Sequence, residues 1–206
     1  MSAVPQKPFG DRFGAALAWA AALHRTQRRK GSDVPYVSHL LAVAAIAIEH
    51  GASEDEAIAA LLHDSIEDQS EAFGGAVKLR AAIREQFGVA VLAIVEGCTD
   101  TDTVPKPPWK ERKEAYLRHL ATAPASVLLV SCADKLHNVR STVADLAVAR
   151  DREVYWKRFN GGREGSLWYY RSLGKVFLQR LPGRLSDDLA RAVLEMTALA
   201  SGPVAG

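Results

Sequence analysis

Cysteine is almost missing from this chain. Its two cysteines, Cys98 and Cys132, stand far apart in apolar segments of helical character. They read as small core residues in a reducing compartment and give neither a disulfide framework nor a zinc pair. Long apolar runs are missing too. The longest uncharged stretch near the start, "FGAALAWAAALH", is too short to span a bilayer and lacks the cationic start and cleavage site of a signal peptide. A cytoplasmic location without membrane attachment is the resulting expectation. Charge of one sign is scarce: the net charge of +2 makes no case for nucleic-acid binding. Alternating β-branched runs are few, internal repeats are absent, and no low-complexity segment exceeds a few residues, which argues against sheets, solenoids and disorder.

What is present is alanine, leucine and helical periodicity. With 48% hydrophobic and 24% charged residues the composition is that of a globular domain. A length of 206 residues suits one all-α domain whose core buries about 70% of the unfolded chain's surface. A first helix is predicted from about Asp11 to Arg28, ended by "KGSDVPY", and a second from Ser38 to His50, stopped by Gly51. "SEDE" (Ser53 to Glu56) is a capping box that opens a third. Further helices are expected over Ala76–Gln86, Val89–Cys98, Trp109–Ala121 and Ala125–Leu146. "TDTVPKPP" reads as a proline-rich loop. Tail helices begin near Arg152 and are interrupted at Asn160–Gly165.

The third helix carries the first chemical signal, "AIAALLHDSIEDQ". On a helical wheel Ile58, Leu61, Leu62, Ser65 and Ile66 share one face, and His63, Asp64, Glu67 and Asp68 share the other. This is either a wet amphipathic face or a group of ligands. Three carboxylates within five residues repel one another unless a cation is near, and imidazole with carboxylate suits Mn, Fe, Co or Zn. A second signal lies in "SVLLVSCADKLHNVRSTV". There Asp134 follows an apolar run and shares a stripe with His137, Asn138 and Ser141. A carboxylate in that position needs a partner, either a structural Lys or His or a metal. His39, after "VPY" in an apolar helix, is either a hydrogen-bonded core histidine or a ligand.

In chain order these residues spell H…HD…D. Together with "HRTQRRKGSDVPYVSHL", "AALLHDSIED", "FGVAVLAIVEGCTD" and "ADKLHNVRS", the chain resembles the HD superfamily of metal-dependent phosphohydrolases. More narrowly it resembles the hydrolase domain of RelA/SpoT-type alarmone enzymes and the small alarmone hydrolases, over about residues 9 to 146. The resemblance implies a single HD-domain helical bundle over residues 1–206, with 151–206 as its divergent C-terminal part, and hydrolase activity alone. It implies one Mn²⁺ held by His39, His63, Asp64 and Asp134, with Glu67 and Asp68 positioning or deprotonating the attacking water. It also implies that Arg29 stacks on a purine base, that Lys30 lies near phosphate, and that Asn138 and Ser141 contact the substrate. The implied reaction removes the 3′-pyrophosphate from (p)ppGpp- or (p)ppApp-type alarmones. The alternatives are another HD phosphohydrolase acting on nucleotides or NADPH, and a non-catalytic nucleotide-binding protein.

Three features depart from the family pattern. Leu40 follows His39 where a proline is usual, Asp100 stands where a lysine is usual, and "YWKRFNGGREGSLWYYRSL" has no counterpart. The last segment mixes Lys157, Arg158, Arg163 and Arg171 with aromatics that include Trp156, Phe159, Trp168, Tyr169 and Tyr170. It reads either as a lid over phosphates or as a helix pair that packs its aromatics and leaves a basic rim in solvent. In "TDTVPKPPWKERK", Lys106, Lys110, Arg112 and Lys113 are further candidates to face phosphate.

Overall fold

The computed structural model describes residues 9–101, 103 and 105–201, so Asp102 and Val104 of the proline-rich loop, and both ends of the 1–206 domain expected above, lie outside the described residues. Those residues form eleven α-helices and no strand, only an isolated bridge between Arg28 and Pro35, so the all-α reading holds. None of the described helices is long and apolar enough to cross a membrane. The chain divides into two compact units after residue 102.

The first unit holds α1 (Asp11–Leu23), α2 (Val37–Glu49), α3 (Glu54–Leu62), α4 (Ser65–Phe73), α5 (Ala76–Phe87) and α6 (Val89–Cys98). Its centre is α3, which packs on α1, α2 and α6. All six residues from Ala57 to Leu62 are fully buried. Each leucine sealed there contributes about 2 kcal/mol. The helix starts where the sequence places it. The Ser53 side chain accepts from the Glu56 amide, and the Glu56 carboxylate accepts from the Ser53 amide at 2.7 Å. Glu54, Asp55 and Glu56 complement the positive end of the helix dipole, and Arg12 bridges Glu54 and Asp55 from α1.

Two boundaries differ from the sequence reading. The first helix ends at Leu23 rather than near Arg28. Segment 27–29 instead pairs with 34–36: the Tyr36 amide donates to the Gln27 carbonyl at 3.0 Å and the Arg29 amide to the Val34 carbonyl at 2.8 Å. Gly31, at φ 76°, makes the reversal possible. The helix predicted to run through His63 to Asp68 is in fact two. The His63 ring takes the Ala60 carbonyl at 2.8 Å, and the Ser65 hydroxyl takes the Leu62 carbonyl at 2.6 Å. Those carbonyls would otherwise accept the amides of Asp64 and Ile66, so side chains displace the ladder and the helix breaks at 63–64. His63 is consequently buried, and does not lie on a wet face.

The second unit holds α7 (Trp109–Leu120), α8 (Ala125–Val148), α9 (Arg152–Trp156), α10 (Gly162–Arg180) and α11 (Arg184–Ser201). Buried positions run almost without a break from Val127 to Leu136 in α8, which packs on α10 and α11. Leu185, Leu189, Val193, Met196 and Ala200 form the buried stripe of α11. Cys132 is buried and Cys98 half-buried, both as free thiols, and burial, reinforced by Asp134 and Asp188, pushes the Cys132 thiol above its usual range.

The aromatic segment packs. Tyr155, Trp156 and Tyr169 are buried, whereas Lys157, Arg158 and Arg171 are exposed. The interruption in the tail ends at Gly161, earlier than expected, because α10 already starts at Gly162. Trp109 lies edge-on to Trp168 and Tyr169, with ring centroids 6.3 and 6.2 Å away. A Cβ on Gly161 would stand 2.6 Å from this indole, and one on Gly165 3.0 Å. The two glycines are therefore a cradle for Trp109. Gly161→Ala is expected to destabilise the protein by about 1–3 kcal/mol through overpacking, checked by urea unfolding; an unchanged midpoint would show that the indole relocates freely.

Candidate functional site

In the first unit, the loop before α2, the start of α2 and the break between α3 and α4 bring three ligand-type side chains together. His39, on the first turn of α2, is fully buried, and its ring lies 5.2 Å from that of His63. The Asp64 Oδ2 atom is 3.0 Å from His63 Nε2 and 3.5 Å from His39 Nε2. The orientation of His63 follows from its other nitrogen. The Ala60 carbonyl can only accept, so Nδ1 carries a hydrogen and Nε2 is the atom turned toward Asp64. Imidazole nitrogen and carboxylate oxygen thus face each other 3.0 Å apart. This donor set fits a divalent metal, and the bonded carbonyl orients the imidazole as the outer partners of metal-binding histidines do.

Tyr36 was not singled out by sequence reasoning. Its hydroxyl donates to Asp64 Oδ2 at 2.6 Å, its ring stacks on His24 at 5.3 Å, and its edge meets His39 at 5.4 Å. Its place three residues before His39 is the only signal the sequence offers. The Arg29 guanidinium lies 5.8 Å from the Tyr36 ring centroid, beside the same group, while Lys30 is exposed on the loop.

Glu67 and Asp68 occupy the first turn of α4. Glu67 is half-buried and Asp68 exposed. Asp68 Oδ2 accepts from Gln27 Nε2 at 2.8 Å. Gln27 in turn is bonded to His24 and Gln69. His24 is buried, and burial lowers its pKa; the Gln27 hydrogen bond and the Asp64 charge work the other way.

In the second unit Asp134 is buried in α8. Its Oδ1 accepts from the Asn138 amide and its Oδ2 pairs with Lys135 Nζ at 2.6 Å. Of the two sequence readings of Asp134, the structural lysine partner is present, together with a neighbour from its own stripe. Burial is the largest influence and alone would lower the Lys135 pKa, but the charge and hydrogen bond of Asp134, with Tyr169 and Tyr116, together outweigh it and hold the ammonium well above its usual range. Ser141 is half-buried two turns beyond Asp134. His39, His63 and Asp134 each offer a ligating atom from a buried position. Of the cations expected to face phosphate, three lie at the start of α7: Lys110 Nζ sits 2.8 Å from the Trp168 ring centroid, Lys113 Nζ 5.1 Å from that of Tyr169, and Arg112 donates to the Pro107 carbonyl.

A family model described as an HD domain matches residues 16–165 of the chain. The chain is 40% identical over 128 residues to guanosine-3′,5′-bis(diphosphate) 3′-pyrophosphohydrolase MESH1 of Xenopus tropicalis, covering 61% of this chain and 66% of that protein. It is 36% identical over 155 residues to the protein of the same name from Drosophila melanogaster, covering 71% and 81%. It therefore spans just under two thirds of the Xenopus relative. A solved structure described as a metazoan ortholog of SpoT that hydrolyzes ppGpp and plays a role in starvation responses matches with a TM-score of 0.68 at 27% identity, over 96% of this chain and 99% of that one.

Proposed function

The chain belongs to the HD domain family, and from that premise we propose that it is a metal-dependent hydrolase removing the 3′-pyrophosphate from purine alarmones of the (p)ppGpp or (p)ppApp type. The observation that carries the reading is the convergence of His63 Nε2 and His39 Nε2 on Asp64 Oδ2, at 3.0 and 3.5 Å, two imidazoles and a carboxylate of the kind that hold a divalent cation. Relatives named for ppGpp pyrophosphohydrolysis supply the substrate class. His39, His63, Asp64 and Asp134 are the proposed ligands and Mn²⁺ the proposed ion, since two imidazoles and two carboxylates suit it. Residues 1–206 are read as one HD domain, with 151–206 its divergent C-terminal part. A cytoplasmic site of action agrees with two free thiols.

When bound, the ion supplies Lewis-acid polarisation of a phosphoryl oxygen and acidifies a water. The remaining work falls to side chains. Glu67 accepts the proton of the water that attacks the phosphorus on the 3′-oxygen, and Asp68 orients that water. The bond from that phosphorus to the 3′-oxygen breaks and the 3′-oxygen takes up a proton, giving pyrophosphate and the nucleoside 5′-di- or triphosphate with a free 3′-hydroxyl. Arg29 stacks on the base, as a flat cation suits, and Lys30 neutralises phosphate. Asn138, already holding Asp134, and Ser141 contact the sugar phosphate.

The test is a product assay with Mn²⁺ in which ppGpp, pppGpp, ppApp, pppApp and NADPH are supplied in parallel. Pyrophosphate from one purine series is the expected result and names the base. Orthophosphate from NADPH alone would replace the alarmone reading with the phosphatase one. In the same assay Arg29→Ala is expected to raise KM about tenfold, the equivalent of roughly 1.4 kcal/mol, with kcat little changed. An unmoved KM would remove Arg29 from the base-stacking role.

A further inference from the structure

His24 and Gln27 lie on the chain reversal between α1 and α2, in "HRTQRRK", where composition suggests no more than a cationic helix end. The structure ties them to the start of α4, more than forty residues on. Gln27 Oε1 lies 2.6 Å from His24 Nδ1 and 2.6 Å from Gln69 Nε2, and Gln27 Nε2 lies 2.8 Å from Asp68 Oδ2. A glutamine amide has one accepting and one donating end of nearly equal size. Turned over, Gln27 would set its oxygen against the Asp68 carboxylate and its NH₂ against two donors. Two donors converging on Oε1 therefore select the orientation in which the NH₂ reaches Asp68. His24 can be the first of them only with its hydrogen on Nδ1. The ring is buried, which disfavours its charged form, its Nε2 makes no hydrogen bond, and it lies face to face on Tyr36.

We propose that His24 and Gln27 are positioning residues: His24, through Nδ1–H, sets the Gln27 amide, and Gln27 holds the Asp68 carboxylate at the angle from which it orients water. The inference rests on the role given above to Asp68. An exposed carboxylate on the first turn of a helix otherwise samples several rotamers, and a carboxylate that orients water needs one. Gln69 is the supporting donor, one residue beyond Asp68 on the same helix.

Two measurements separate this inference from the reading it rests on. The first uses no substrate. Ring ¹⁵N NMR of the wild-type protein is expected to show His24 as the neutral Nδ1–H tautomer; an Nε2–H tautomer overturns the proposal whatever the enzyme hydrolyses. The second is kinetic, with Mn²⁺ and the alarmone. Gln27→Glu, nearly isosteric, turns a donor facing Asp68 into a second carboxylate. It is expected to lower kcat about thirtyfold with KM within about twofold and metal content unchanged. His24→Asn keeps an N–H where Nδ1–H stood and is expected to retain most of the turnover, while His24→Leu falls as Gln27→Glu does. Metal content and circular dichroism of His24→Leu show whether its loss is one of folding; if it is, Gln27→Glu and His24→Asn decide. Wild-type kcat in Gln27→Glu, or His24→Asn losing as much as Gln27→Glu, overturns the proposal. Asp68→Asn distinguishes the two levels. If it is inactive while Gln27→Glu is normal, only the positioning pair is wrong. If Asp68→Asn itself turns over normally, the role of Asp68 and the proposal fall together. The double variant Gln27→Glu/Asp68→Asn is expected to lose no more than Asp68→Asn alone, because both act on one group.

Discussion

Asp64→Ala is expected to lose its divalent metal and its turnover together, with kcat down by about a thousandfold or more. Asp64 Oδ2 is where three groups of the first unit converge: His63 Nε2 at 3.0 Å, His39 Nε2 at 3.5 Å and the Tyr36 hydroxyl at 2.6 Å. Alanine removes the negative charge that two neutral imidazoles need beside them to hold a dication. It also leaves the Tyr36 hydroxyl without the acceptor it uses. The fold should survive, because Asp64 is partly exposed and lies at a helix break, outside the packed run Ala57–Leu62. Metal content after purification without chelator, read beside the thermal midpoint, makes the check. Wild-type protein should gain stability on addition of Mn²⁺ by mass action, and Asp64→Ala should not. A variant that binds metal at wild-type stoichiometry would take Asp64 out of the ligand set.

Glu67→Gln is expected to do the opposite with the metal and nearly the same with the rate. The amide has the size of the carboxylate but cannot accept a proton from water. A loss of about 10²- to 10⁴-fold in kcat is the usual scale for removing a general base. Glu67 stands four residues after His63 and three after Asp64, on the first turn of α4. It is half-buried. That spacing puts it about one turn past the ligands, on a helix whose start is pinned by the Asp68 amide donating to the Asp64 carbonyl at 3.0 Å. Metal content should therefore stay at the wild-type level while turnover falls. Turnover near wild type would move the proton-accepting role to another group, with Asp68 the first to examine. Loss of metal would make Glu67 a ligand instead.

These expectations use residues that were legible in sequence. His63, Asp64, Glu67 and Asp68 stand out because four ionisable groups close an apolar run, and Asp134 because it follows a buried one. The capping box at Ser53 was legible because its two hydrogen bonds lie within three residues of each other. The packing of "YWKRFNGGREGSLWYYRSL" was only half legible. Its aromatics suggested a core, but that Gly161 and Gly165 make room for Trp109, some fifty residues earlier, is a matter of tertiary approach.

Periodicity and composition by themselves determined an all-helical chain, nearly every helix, and the order H…HD…D with its acidic pair, because these depend on neighbours within a turn or two. The tertiary structure alone decided the rest. The break between α3 and α4 arises because His63 and Ser65 compete for carbonyls their own helix needs. His63 turns Nε2 toward Asp64 because the Ala60 carbonyl claims Nδ1. Tyr36 reaches Asp64 across 28 residues and Gln27 reaches Asp68 across 41. A hydrogen bond is satisfied by distance and angle in space, and separation along the chain carries no record of either.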